Sequence, residues 1–233
     1  MCCEKSFLFA TLFALFFLFC NNLHLHPMNI ILPLELNQEA EPGAHFQVAD
    51  RLNRMTEDEF YDLCQHNAEI KFERRADGTI LYMALTGGET GRRNTKLLSR
   101  LNYWAEEAAL GEVFDSSTGF RLPSGAVRSP DAAWVSTAAW QGLSEEQRSK
   151  FPPLCPEFVV ELLSKSDSVD EMALKMQEYL ANGCRLAWLI DPKTQTARVY
   201  RADGTVSIAK SFEETLSGED VLPGFVFSLN TLR

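Results

Sequence analysis

Pro156–Ser168 reads PEFVVELLSKSDS, and the reading of this stretch decides the fold. Phe158 to Leu163 looks like a buried strand, a short apolar run of strand length. Alternate residues of a strand share a face. Phe158, Val160 and Leu162 therefore line one face, and Val159, Glu161 and Leu163 the other. Glu161 is the anomaly. An unpaired carboxylate inside a protein costs several kcal/mol, so it needs a compensating cation or a raised pKa.

Working outward, Ser168 with Glu171 caps a helix that runs to about Asn182-Gly183. Met172, Met176, Tyr179 and Leu180 form its buried stripe, with Lys175 on the flank. Its aliphatic stem can lie on the core while the ammonium reaches toward the strand. LAWLID (186–191) is a second buried strand, stopped by Pro192. ARVYRADGTVSIA (197–209) is a hairpin turning at Asp203-Gly204, and VLPGFVFSL (221–229) is a short edge element.

Upstream, Thr56-Glu57-Asp58-Glu59 has the pattern of a capping box opening a helix to about Gln65. KFERRADGTILYMAL (71–85) is a hairpin turning at Asp77-Gly78. Thr86–Gly91 is a glycine-rich loop. It feeds an amphipathic helix with Leu97, Leu101, Trp104 and Ala108 at helical spacing, ending near Gly111. Strands follow at Val113–Phe114, Gly119–Leu122 and Asp131–Val135, and Ser144 to Gln147 forms a second capping box. No internal repeat or linker interrupts the body. The expected fold class is α/β, a mixed β-sheet flanked by helices in one domain over residues 28–233.

The 233 residues are 45% apolar and 23% charged, with a formal net charge of −10. An acidic surface disfavours nonspecific coating of nucleic acid, which phosphate neutralisation drives. It is compatible with an acidic site filled by divalent metal. The body holds Cys64, Cys155 and Cys184, an odd number with no CxxC pair, which argues against both a disulfide framework and a zinc site. No histidine lies near the later carboxylates, so neither a Ser-His-Asp nor a Cys-His mechanism has an obvious base.

Residues 1–27 stand apart. FLFATLFALFFLFC (7–20) is too short to span a bilayer and resembles the apolar core of a signal peptide, yet no small-x-small cleavage site follows. Two expectations stand. Met28 is the true start of a cytoplasmic protein, or the extension is a signal or membrane anchor.

The chemistry gathers around Glu161. Ser129-Pro130-Asp131 opens an upstream strand and puts a second carboxylate after a stiffening proline. Asp131 and Glu161 would hold a hard cation, Mg²⁺ or Mn²⁺, through oxygen, and Lys175 would orient or deprotonate the attacking water. Such a set suits metal-dependent hydrolysis of phosphodiesters and explains the tolerated carboxylate.

SPDAAWV, FVVELLSKSDS, KMQEYLANG and WLIDP, together with TGGETGRRN and VFDSSTGFRLPSGAVRSPD, resemble the Uma-two family of candidate endonucleases, common in cyanobacteria. The resemblance runs from about Phe46 to the C-terminus. It implies the restriction endonuclease-like PD-(D/E)XK superfamily, with Asp131 as the PD aspartate and Glu161 as the acid of the ExK element. The lysine of that element is replaced by Leu163. Relatives with a migrated basic residue carry it on the next helix, where Lys175 fits. Glu89, at the start of the long helix, would match an additional metal-binding acid. The resemblance further implies DNA as partner, a possible homodimer and no organic cofactor.

Other readings compete. Without lysine at 163, and with an acidic body, the chain reads alternatively as a catalytically degenerate DNA-binding or protein-interaction module. Arg92, Arg93, Lys96 and Arg100 recur along the long helix, either as a phosphate-contacting stripe or as a solvated face. Asp167 and Asp170 are helix-start acids, and Trp134, Trp140 and Trp188 read as core.

Overall fold

The computed structural model describes residues 54–83, 85–165 and 167–233. They divide into two units, Met1–Ile70 and Lys71–Arg233. The apolar run 7–20 and the expected boundary at Met28 lie outside the described residues. Among the described residues no helix is long and apolar enough to cross a membrane.

The described part of the first unit carries helix α1 (Glu57–His66). Both halves of its capping box form, with Glu59 N donating to Thr56 Oγ1 and Thr56 N to Glu59 Oε2. Two otherwise orphaned backbone donors are thereby satisfied, and Phe60 and Leu63 turn inward.

The second unit opens with the hairpin read from KFERRADGTILYM: β1 (Lys71–Arg74) pairs antiparallel with β2 (Ile80–Met83). Gly78 sits at the turn with φ of 90°, which only glycine adopts without cost. Helix α2 (Gly88–Ala108) begins inside the glycine-rich stretch expected to be a loop, so Gly88 and Gly91 are helical. Then come β3 (Gly111–Asp115), β4 (Phe120–Arg121), β5 (Val127–Arg128) and β6 (Ala132–Ser136), followed by short helices α3 (Thr137–Gln141) and α4 (Glu145–Ser149). The decisive stretch is strand β7 (Phe158–Leu162), buried throughout. Next are α5 (Val169–Ala181), capped by the Ser168 hydroxyl, β8 (Leu186–Asp191), and the hairpin β9 (Thr196–Arg201) with β10 (Val206–Ala209).

Six strands form the main mixed sheet in the order β10-β9-β8-β7-β6-β3, with β7 and β8 parallel and the other pairs antiparallel. A parallel pair needs a crossover, and α5 supplies it. The hairpin β1-β2 joins β5 and β4 in a separate four-stranded sheet, order β2-β1-β5-β4. No alternation in the sequence announces that pairing, because β4 and β5 are only two residues each.

The inward faces of β7 separate as alternation dictates. Phe158, Val160 and Leu162 pack with Trp188, with Leu97 and Leu101 of α2, and with Phe225, Phe227 and Leu229. Val159 and Leu163 pack on the other side with Met176 and Tyr179 of α5. The closing segment VLPGFVFSL is not an edge of the main sheet. It pairs within a small ribbon, β11 (Thr215–Ser217) with β12 (Val226–Ser228), and its buried aromatics roof the first core. Trp188 stacks against Phe225 with ring centroids 5.8 Å apart.

Candidate active site

Strand β6 runs against β7 with Ala132 opposite Val160 and Ala133 opposite Val159. Continuing that register by one residue sets Asp131 opposite Glu161. Cross-strand partners share a face with Cβ atoms about 5 Å apart, so the two acids stand on the same side of the sheet at neighbouring positions. The fold also fixes Asp131: Leu162 N donates to its Oδ2 at 2.8 Å and Asn94 Nδ2 to its Oδ1 at 3.2 Å.

Lys175 points from α5 at this pair. Its ammonium lies 2.8 Å from Glu161 Oε1, and Tyr179 OH donates to the same oxygen at 3.1 Å. Lys175 and Tyr179 are four residues apart, which puts them on one helical face. Among the described residues Glu161 Oε2 accepts no hydrogen bond.

A third acid completes the group, one that the sequence reading passed over. Glu73 of β1, only 1% exposed, accepts from Lys175 Nζ at 2.9 Å and from Ser129 N at 3.0 Å, both at Oε1. Arg128 binds its Oε2 at 3.0 Å and reaches Glu178 through Nε at 2.6 Å. Strand β1 reads KFER, with three of its four residues charged, so Glu73 carries no anomaly of the kind that marks Glu161 in FVVEL.

The charges push one another. Burial raises Glu161 to about 7 against the pull of Lys175, with Asp131 and Glu73 adding to the rise. Burial also raises Asp131, opposed by the Leu162 amide and by Lys71 and Lys175. For Glu73 burial acts upward, but Lys175 and Arg128 hold it below the usual range. Burial alone would lower Lys175, yet Glu161 and Glu73 together drive it up. The amine is therefore an ammonium, suited to orienting and neutralising and a poor proton acceptor.

A divalent cation suits this donor set. Glu73, Asp131, Glu161 and Glu178 stand with Lys71, Lys175 and Arg128, four acids with three bases, and the raised pKa values of Glu161 and Asp131 mark the acids as short of positive charge. The open Glu161 oxygen and the Asp131 carboxylate are hard oxygen donors at cross-strand spacing. Mg²⁺ is commonly held by one or two carboxylates, the remainder of its shell being water and substrate phosphate. Among the described residues no group of three or more His, Cys, Asp or Glu converges to hold a metal, so two carboxylates is the measure of the fit.

Glu89 stands elsewhere in character. Its carboxylate is 67% exposed and is engaged by Arg92 at 2.9 Å and Arg93 at 3.5 Å, which lower its pKa. An acid in the first turn, paired with the next turn's arginines, is accounted for by its own helix. The basic stripe is likewise occupied: Arg92, Arg93 and Lys96 donate to the carbonyls of Arg233, Leu232 and Thr231 at 2.8, 2.6 and 2.8 Å. Those groups clamp the final 3-10 turn (Leu229–Leu232), a use invisible in the helix alone.

A putative nuclease belonging to DUF820 from Anabaena variabilis has a crystal structure that superposes with a TM-score of 0.64 at 20% identity, covering 76% of this chain and 97% of that one. At that identity the likeness speaks for the fold alone. No curated protein matches. The family model for Uma2, described as putative restriction endonuclease, matches residues 57–230. With the greater part of its length matched, the chain belongs to the Uma2 family.

Proposed function

We propose that this protein is a divalent-metal-dependent endonuclease that hydrolyses phosphodiester bonds of DNA. The observation that carries the reading is the pairing of half-buried Asp131 with buried Glu161, facing each other in the β6–β7 register with the Lys175 ammonium on Glu161. Membership in Uma2 supports the reaction class.

Asp131 and Glu161 are the residues that would hold Mg²⁺ or Mn²⁺. Bound there, the cation would lower the pKa of a coordinated water and stabilise charge building on the phosphoryl oxygens. The remaining work falls to the chain. The Leu162 amide and Asn94 hold the Asp131 carboxylate in one orientation. Lys175, gripped by Glu73, sets a fixed positive charge beside Glu161. Tyr179 OH takes up one lone pair of Glu161 Oε1 and leaves Oε2 for the cation. The migrated lysine thereby replaces the function lost at Leu163.

A second reading has an observation of its own. Lys175 is bound by two carboxylates at once, which also describes a degenerate site locked as an ion-pair network, serving a DNA-binding or protein-interaction module. Plasmid DNA incubated with the full chain and Mg²⁺ or Mn²⁺ decides between them. The nuclease reading requires cleavage that EDTA abolishes and that Asp131→Ala and Glu161→Gln each remove. Intact plasmid, together with no saturable Mn²⁺ heat in calorimetry, would leave the degenerate module. On the nuclease reading the protein works in the cytoplasm, where its substrate lies.

A further inference from the structure

We propose that Lys71 binds the phosphate of the substrate strand next to the Asp131/Glu161 pair. The proposal rests on the nuclease reading above and adds to it the group that receives the anion.

An acidic site that acts on a polyanion needs a cation free to meet the phosphate. Lys175 is poorly placed for this, since its ammonium is already bonded at 2.8 and 2.9 Å to two carboxylates. Arg128 is likewise committed to Glu73 and Glu178. Arg92, Arg93 and Lys96 are spent on backbone carbonyls of the closing turn. Lys71 differs from all of these. It begins β1, two residues before Glu73, and is half-buried. Its Nζ donates to Ser129 O at 3.1 Å, which sets the ammonium over the Ser129-Pro130-Asp131 turn that delivers the catalytic aspartate. Among the described residues it forms no ion pair.

Two facts then combine. The ammonium is anchored by one neutral carbonyl, so two of its three donors remain for a ligand. Lys71 is also half-buried, so part of it meets solvent. Lysine acts on phosphate as a point charge and needs no bidentate geometry.

The test is anisotropy of a labelled DNA duplex titrated with the full chain over a range of salt concentrations, in Ca²⁺ to hold cleavage back. Lys71→Gln keeps a donor for the Ser129 carbonyl and removes the charge; Lys71→Arg keeps the charge. A lost phosphate contact flattens the log Kd against log salt slope by about 0.9 and weakens binding about eightfold at 0.1 M salt. The expected result is that change in Lys71→Gln, with near wild-type behaviour in Lys71→Arg. Wild-type affinity and slope in Lys71→Gln would overturn the assignment while leaving the nuclease reading standing. A wild-type protein that neither binds nor cleaves DNA would overturn both.

Discussion

The Glu73 carboxylate lies 2.9 Å from the Lys175 ammonium, although the two residues are 102 apart in the chain. One comes from the hairpin of the smaller sheet and the other from the crossover helix of the larger. Their pairing ties the two sheets together at the candidate active site and leaves Lys175 held from both sides, by Glu73 and by Glu161.

Glu73→Gln is therefore expected to destabilise the protein by about 3 kcal/mol, because it strips one partner from each of two buried cations. Arg128 keeps Glu178 and Lys175 keeps Glu161, which holds the loss below that of a fully orphaned charge. Urea denaturation measures it. A loss under about 1 kcal/mol would mean that the buried network relaxes freely and that Glu73 does not hold Lys175.

Stability should depend on pH through Glu161. Its folded pKa is pushed up to about 7 from an ordinary 4.5, so the folded state binds this proton more tightly than the unfolded one. That contribution is complete below about pH 4.5 and is lost as pH rises through about 7. Glu73, held low, acts in the opposite sense, and its window lies below 4.5. The Asp131 charge adds to the rise of Glu161, so the two titrations are linked and the difference between the two proteins contains both. Thermal melts of wild type and Glu161→Gln should consequently diverge between about pH 5 and pH 8, with the wild type losing ground. Parallel curves across that range would show that Glu161 titrates normally.

Two glycine substitutions should have opposite signs. A Cβ on Gly111 would lie 2.2 Å from Val135 O and 2.7 Å from the Trp134 ring, so Gly111→Ala is expected to cost about 3 kcal/mol. At Gly91, inside α2, a Cβ meets nothing within 4 Å, and Gly91→Ala should stabilise by about 1 kcal/mol. Chemical denaturation of both variants checks the pair. A neutral Gly111→Ala would show that β3 shifts away from β6 at little cost.

Arg93 separates structure from recognition. Its guanidinium donates to Leu232 O at 2.6 Å, so Arg93→Gln should lower stability by about 2 kcal/mol. The salt dependence of DNA binding should stay unchanged. If the slope instead flattens by about 0.9, the α2 stripe meets phosphate after all.

Much was legible in the chain order alone. The alternation of Phe158–Leu163 assigned every residue of β7 to its face, since the strand period is fixed by covalent geometry. Capping boxes at Thr56 and Ser144 and the Asp-Gly turns were equally readable, because their hydrogen bonds close within a few residues. Glu161 was singled out as a charge inside a buried strand, Asp131 by its place after Pro130 and Lys175 by its place on the flank of the helix stripe, and the tertiary structure sets Asp131 opposite Glu161 and Lys175 against it. Glu73 was missed, and the stripe Arg92–Lys96 has a use the sequence did not disclose. Their partners lie far off in the chain: Lys175 and Arg128 for the acid, the carbonyls of Thr231–Arg233 for the bases. Local sequence fixes periodicity and caps through contacts a few residues apart. Which buried charge meets which depends on the docking of one sheet beside another, and only the folded chain decides it.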